Sequence, residues 1–170
     1  MFQDEARFGL IRSLRPCWAC KPIRSELPKR IARHYTYVYG AVSPLDGSSD
    51  FLILPSMRKE AFDCFLDELS KRYANEDIAL IVDGAASHGT DSITIPDNIT
   101  LIALPPYRPQ LNPIENLWKV IRERFFPNLD FECMDKLEQN LCVALDHLDT
   151  NPQIIRSVTG YKWILNMLSL

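Results

Sequence analysis

The chain has 170 residues, 46% of them hydrophobic and 24% charged, which favours one globular domain with a sizeable core and excludes wholesale disorder. No apolar run approaches the roughly 18 residues that span a bilayer, and Met1-Phe2-Gln3-Asp4-Glu5 has neither the basic nor the apolar region of a signal peptide, so the expectation is a cytoplasmic protein with no membrane partner. The net charge of −3 hides an asymmetry, because residues 7 to 33 hold Arg7, Arg12, Arg15, Lys21, Arg24, Lys29, Arg30 and Arg33 against Glu26 alone, a local balance of +7 that leaves −10 on the rest. Such a stretch suits a polyanion or a solvated basic loop, and charge alone does not separate the two.

Residues 1 to 11 read as a strand, and residues 12 to 33, with three prolines among the basic residues, as a long loop or arm. Tyr35-Thr36-Tyr37-Val38-Tyr39 is rich in β-formers and predicts a strand. Ser43-Pro44-Leu45-Asp46-Gly47 is a turn signal, and Phe51-Leu52-Ile53-Leu54 is the returning strand of a hairpin. Ser56 is placed to cap a helix over 57–73, whose Ala61, Phe62, Phe65, Leu66 and Leu69 keep helical spacing. Ile78-Ala79-Leu80-Ile81-Val82 and Ile99-Thr100-Leu101-Ile102-Ala103-Leu104 are short continuous apolar runs, as expected of strands covered on both faces, with Pro105 and Pro106 stopping the second.

Asn112-Pro113 opens the next helix, with Asn at the cap and Pro at the first position. Residues 131 to 148 read as an amphipathic helix with Met134, Leu137, Leu141, Leu145 and Leu148 on one face, and Asn151-Pro152 repeats the opening signal for the last one, so helices are expected over about 131–169. Strand, hairpin, helix, strand, strand and then helices predict a mixed α/β sheet with helical cover.

Among candidate site residues, Asp83 ends a buried strand, where ligand sites in open α/β sheets gather. Taken alone, Asp83-Gly84 is more simply an Asp-Gly turn. Glu115 lies in the first turn of its helix, at the edge of the stripe formed by Ile114, Leu117, Trp118, Ile121 and Phe125. The helix dipole and an i+4 pair with Lys119 explain it equally well, and Trp118 reads as core. Asp4 and Glu5 fall on opposite faces of a regular strand, so one can face a site. His88 is more simply a loop histidine with a local hydrogen bond than a phosphate contact. Cys17-Trp18-Ala19-Cys20 is a lone CxxC among five cysteines, too little for a zinc site or a disulfide framework.

Three blocks then come in a telling order. Phe2-Gln3-Asp4-Glu5, Asp83-Gly84-Ala85-Ala86-Ser87-His88 and the long run Leu104-Pro105-Pro106-Tyr107-Arg108-Pro109-Gln110-Leu111-Asn112-Pro113-Ile114-Glu115-Asn116-Leu117-Trp118 resemble the catalytic blocks of the DDE transposases of the Tc/mariner superfamily, in particular its bacterial insertion-sequence branch. The likeness covers residues 1 to about 126, and the third block is its most specific part. It implies a ribonuclease H-like (retroviral integrase-like) α/β fold, a mixed sheet with helices on both faces. It also implies the catalytic and metal-binding set Asp4, Asp83 and Glu115. The 31 residues between Asp83 and Glu115 are fewer than the family usually has, and Arg108 stands where Ser is common. The family's N-terminal helix-turn-helix has no counterpart, so the expectation is a single catalytic domain over 1–170.

The resemblance further implies Mg²⁺, with Mn²⁺ as substitute, in a two-metal site of roughly 3.5–4 Å separation. Asp4 would serve both metals, and Asp83 and Glu115 one each. Water would free a transposon 3′-OH, which would then attack target DNA. The implied partners are transposon ends and a target, with TA as the target dinucleotide, bound by a homodimer in a synaptic complex within a prokaryotic nucleoid. Arg12, Arg15, Lys21, Arg24, Lys29, Arg30, Arg33, His88, Arg108 and Lys119 are the candidate DNA contacts. The alternatives are a catalytically inactive DNA-binding or assembly module derived from such an enzyme, and a ribonuclease H-like nuclease without strand transfer.

Overall fold

The computed structural model describes residues 1–10, 20, 34–83 and 93–168. Five strands form one sheet in the order β3-β2-β1-β4-β5, with β1 Phe2–Gly9, β2 Tyr35–Val42, β3 Ser49–Leu54, β4 Ile78–Val82 and β5 Ile99–Ala103. The β1–β2 and β2–β3 pairs are antiparallel, while β1–β4 and β4–β5 are parallel. The hairpin turns where the sequence predicts. Gly47 takes φ +79, a conformation glycine adopts without strain, and its N–H donates to the carbonyl of Ser43 at 2.9 Å.

The sheet separates two cores, and alternation sends the apolar side chains of β1 into one of them. Phe2, Ala6 and Phe8 join Val38 and Val42 under two helices, α2 (Ile114–Phe125) and α3 (Met134–Asp149). On the opposite face Tyr39, Ala41, Leu80 and Val82 pack against α1 (Lys59–Arg72) through Ala61, Phe62, Phe65, Leu66 and Leu69. Helices therefore cover both faces, as expected for a ribonuclease H-like fold.

Several expectations need correction. Ser56 does not cap α1. The helix starts after Arg58, which is extended, and Ser56 instead offers its carbonyl to the Tyr39 hydroxyl at 3.3 Å. The strands β4 and β5 are not covered on both faces. Ile78, Leu80 and Val82 are buried beneath α1, but Ala79 is exposed, and Ile102 of β5 is 47% exposed. The reason is positional, since α2 lies over β1 and β2 rather than over this end of the sheet. The final helical stretch is two helices, α4 (Pro152–Thr159) and α5 (Lys162–Leu168), separated at Gly160 and Tyr161. Asn151 is not a side-chain cap for α4; its amide donates back to the His147 carbonyl at 2.8 Å.

Candidate active site

The β1–β2 register pairs Asp4 with Gly40, and alternation turns both toward α2. Trp118 of α2 reaches down onto this pair. Its indole N–H donates to Asp4 Oδ2 at 2.9 Å, and the ring is fully buried with its edge against Phe51. Trp118 is core, as its spacing suggests, but it also fixes the carboxylate.

Glu115 sits one turn before Trp118 on α2, and Arg122 one turn after it. The helix opens one residue later than the sequence predicts, at Ile114 with Pro113 in the cap position, and the side-chain oxygen of Asn112 accepts from the Ile114 N–H at 3.4 Å. The Asn112 amide also donates to the carbonyl of Gln3 at 2.8 Å, wholly buried. One side chain thus starts the helix carrying Glu115 and ties it to the strand carrying Asp4.

The electrostatics report what meets what. Burial, and then the charge of Glu115, push the Asp4 carboxyl up to about 7, against the lowering effect of the Trp118 hydrogen bond. Burial lowers the pKa of Arg122, while Glu115 and Asp4 act to raise it. Arg122 also lies over the Phe8 ring at 5.0 Å and donates to the Arg7 carbonyl at 3.5 Å. Asp4, Glu115 and Arg122 thus form one electrostatic group on the α2 face. The Glu115–Lys119 pair that the spacing suggests is not among the ion pairs of the described residues, and Lys119 is exposed. Glu115 is exposed too, and its charge acts on Asp4 and Arg122.

Asp83 follows β4 directly. The parallel pairing of Phe2 with Ile81 brings Asp83, two residues on, level with Asp4. Its charge is felt on the other face of β1, by Glu5. Burial raises the pKa of Glu5, the Gln3 amide at 3.0 Å opposes this, and Asp83 raises it further. The structure therefore couples Asp4 with Glu115 and Asp83 with Glu5, at the same level of the sheet. Among the described residues no group of three carboxylate, histidine or cysteine side chains is close enough to hold a metal.

Of the candidate DNA contacts, Arg108 and Lys119 are exposed. Arg12, Arg15, Lys21, Arg24, Lys29, Arg30, Arg33 and His88 lie outside the described residues, as does Cys17. The four described cysteines are free and exposed. Two cavities, of about 470 Å³ beside the start of α3 and about 360 Å³ between β3 and α1, include none of the three acids. Sequence reasoning missed Arg122 and Gly40. Arg122 carried a usable signal, because Glu115, Trp118 and Arg122 fall at i, i+3 and i+7.

The sequence profile of a family described as DDE superfamily endonuclease matches residues 1–138. The chain belongs to that family. A relative from Sinorhizobium fredii (strain NBRC 101917 / NGR234), "Uncharacterized protein y4pE/y4sA", is 36% identical over 130 residues, 76% of this chain and 96% of that protein. Among solved structures, the DDE family fold here is similar to the Mos1 transposase paired-end complex with left transposon end, at TM-score 0.61 and 13% identity over 94% of this chain. It is likewise similar to a pre-cleavage Mos1 transpososome at TM-score 0.62 and 12% identity, and to the Mos1 mariner paired end complex with Mn at 0.60 and 14%. The chain spans 55% of the length of each of these three. The likeness shows the ribonuclease H-like fold.

Proposed function

We propose that this chain is the catalytic domain of a transposase, which cuts DNA at transposon ends with a divalent metal and transfers the freed 3′-OH strand into target DNA. The observation that carries this is Asp4, held by Trp118 and within electrostatic reach of Glu115, with Asp83 level with it at the end of the adjoining strand. Solved relatives of the same fold are transposase complexes with a transposon end and with Mn or Mg.

The donor set fits a hard cation. Asp4, Asp83 and Glu115 offer only carboxylate oxygens, the ligands that Mg²⁺ and Mn²⁺ prefer. Burial and the neighbouring Glu115 disfavour charge on Asp4, a penalty that a cation removes. Bound there, divalent metal would activate water or a 3′-OH and offset charge on the scissile phosphate.

The chain's own groups do the positioning. Trp118 holds one oxygen of Asp4, leaving the other to a ligand. Asn112 sets the helix that carries Glu115 against β1. Arg122 offsets the two acids from their inner side. Exposed Arg108 and Lys119 would meet DNA phosphates, together with the basic arm at residues 12 to 33 and His88, and affinity would fall steeply with salt. The reading extends to one domain over 1–170, a homodimer synapse and a TA target.

The test uses DNA carrying any terminal inverted repeats found beside the gene, with Mg²⁺ or Mn²⁺. Asp83→Asn and Glu115→Gln should each abolish cleavage while keeping the wild-type circular dichroism spectrum and melting cooperativity. Cleavage at the wild-type rate by either variant refutes the assignment.

A further inference from the structure

The segment joining β5 to α2 is tied to the site at both ends. Leu104 donates its N–H to the carbonyl of Val82, the residue before Asp83, at 2.8 Å. At the other end the Asn112 side chain holds the carbonyl of Gln3, the residue before Asp4, also at 2.8 Å. Between these anchors Pro105, Pro106 and Pro109 restrict the backbone. The second half is stiffened by Leu111 N–H to Arg108 carbonyl at 3.0 Å and Asn112 N–H to Pro109 carbonyl at 2.9 Å.

Midway along this strap stands Tyr107, 98% exposed, with φ +60. Both facts are unusual. A bulky residue in the left-handed region carries a steric penalty that glycine would avoid, and such strain persists where function holds it. The ring gains nothing from burial in return. Arg108 beside it is exposed as well, so an aromatic ring and a cation stand next to each other on a strap anchored to the residues that precede Asp4 and Asp83.

We infer that Tyr107 is a stacking platform for an unpaired nucleobase next to the scissile phosphate, with Arg108 contacting the adjoining backbone. The inference rests on the proposed DNA-cutting function. A flat ring accepts any base, since every base has a π-face, while the anchors tie the strap that carries it to the residues before Asp4 and Asp83. The base could come from the transposon end or from the target, and the chemistry is the same.

The experiment uses the full chain in Ca²⁺, with 2-aminopurine placed either at the inverted-repeat end or at the target dinucleotide. Tyr107→Gly removes the ring and accepts the left-handed backbone, so the fold is kept, whereas Tyr107→Phe keeps the ring. Wild type and Tyr107→Phe should quench 2-aminopurine in at least one of the two DNAs, and the quenched DNA names the source. Tyr107→Gly should lose the quench and bind that DNA roughly 5- to 100-fold more weakly, the range for losing one stacked base. Equal quenching and affinity in Tyr107→Gly, with Mn²⁺-dependent cleavage by wild type intact, overturns the stacking role and leaves the proposed function standing. A change in self-association on sedimentation, with quenching unaltered, also overturns it and makes the ring a contact between copies. Wild type that neither binds nor cuts either DNA sinks both readings.

Discussion

Gly40 lies directly against the indole of Trp118. A Cβ on Gly40 would come within 2.7 Å of Trp118 Cη2 and 3.1 Å of the Phe51 ring. Both rings are packed, so neither can give way freely. Gly40→Ala should therefore lower stability by about 1–3 kcal/mol, the usual range for overpacking. It should also displace the indole from Asp4 and reduce DNA cleavage. Urea unfolding and a cleavage time course check both, and a variant as stable and active as wild type would show that the contact has slack.

Asp4 sets a pH dependence. Its carboxyl titrates at about 7 in the fold against an ordinary value of 3.8, so the folded chain holds this proton more tightly than the unfolded one. Its contribution to stability is greatest below the ordinary value and declines as pH rises through about 7. Asp4→Asn lacks that decline. In EDTA the variant should melt close to wild type near pH 4 and above it at pH 8, by an amount on the order of a few kcal/mol in stability. Cleavage should be abolished at every pH. Parallel melting curves for the two proteins across this range would contradict the burial of Asp4.

Trp118→Phe keeps an aromatic ring but removes the donor to Asp4 Oδ2. That hydrogen bond lowers the Asp4 pKa, so its loss should shift the acidic limb of the cleavage pH profile upward. Stability should fall by about 1–3 kcal/mol, as when a buried acceptor loses its partner. An unchanged pH profile would mean the indole merely fills space.

Arg122→Gln removes the cation that faces Asp4 and Glu115. With no metal present the two acids then lack compensation, and melting in EDTA should drop by an amount worth about 1 kcal/mol. Saturating Mg²⁺ should narrow the gap between variant and wild type. A deficit of equal size in EDTA and in Mg²⁺ would assign Arg122 to packing over Phe8 instead.

Asn112→Asp separates two jobs of one side chain. The carboxylate can still accept from the Ile114 N–H, but it cannot donate to the buried Gln3 carbonyl. Helix content should persist while stability falls by about 1–3 kcal/mol. Wild-type stability would show that the tie between α2 and β1 is dispensable.

Periodicity made much of the architecture legible. The alternating residues of β1 and the stripe on α2 appear as read, because each reports a local preference that the fold does not override, while the Asn112-Pro113 start is displaced by one residue. The exposure of Ile102 was not legible, since an apolar run says nothing about how far a helix on another element extends. The Ser56 cap fails because the helix begins only after Arg58, two residues further on. At the site, the resemblance named Asp4, Asp83 and Glu115, but not the side chains packed around them. That Trp118 donates to Asp4, and that Arg122 rather than Lys119 answers Glu115, depends on which face of α2 meets β1.

Asp4 and Glu5 are adjacent carboxylates, and only the eight-residue ladder between β1 and β2 decides which of them meets Trp118. Side chains on a strand swap faces with every step, so a slip of a single position would bring Glu5 beneath the indole and send Asp4 toward α1. It would also bury Gln3 and Arg7 among the apolar residues under α2. Misalignment would therefore be punished by the whole strand at once, and the choice between two neighbouring acids is protected by hydrophobic side chains that take no part in the chemistry.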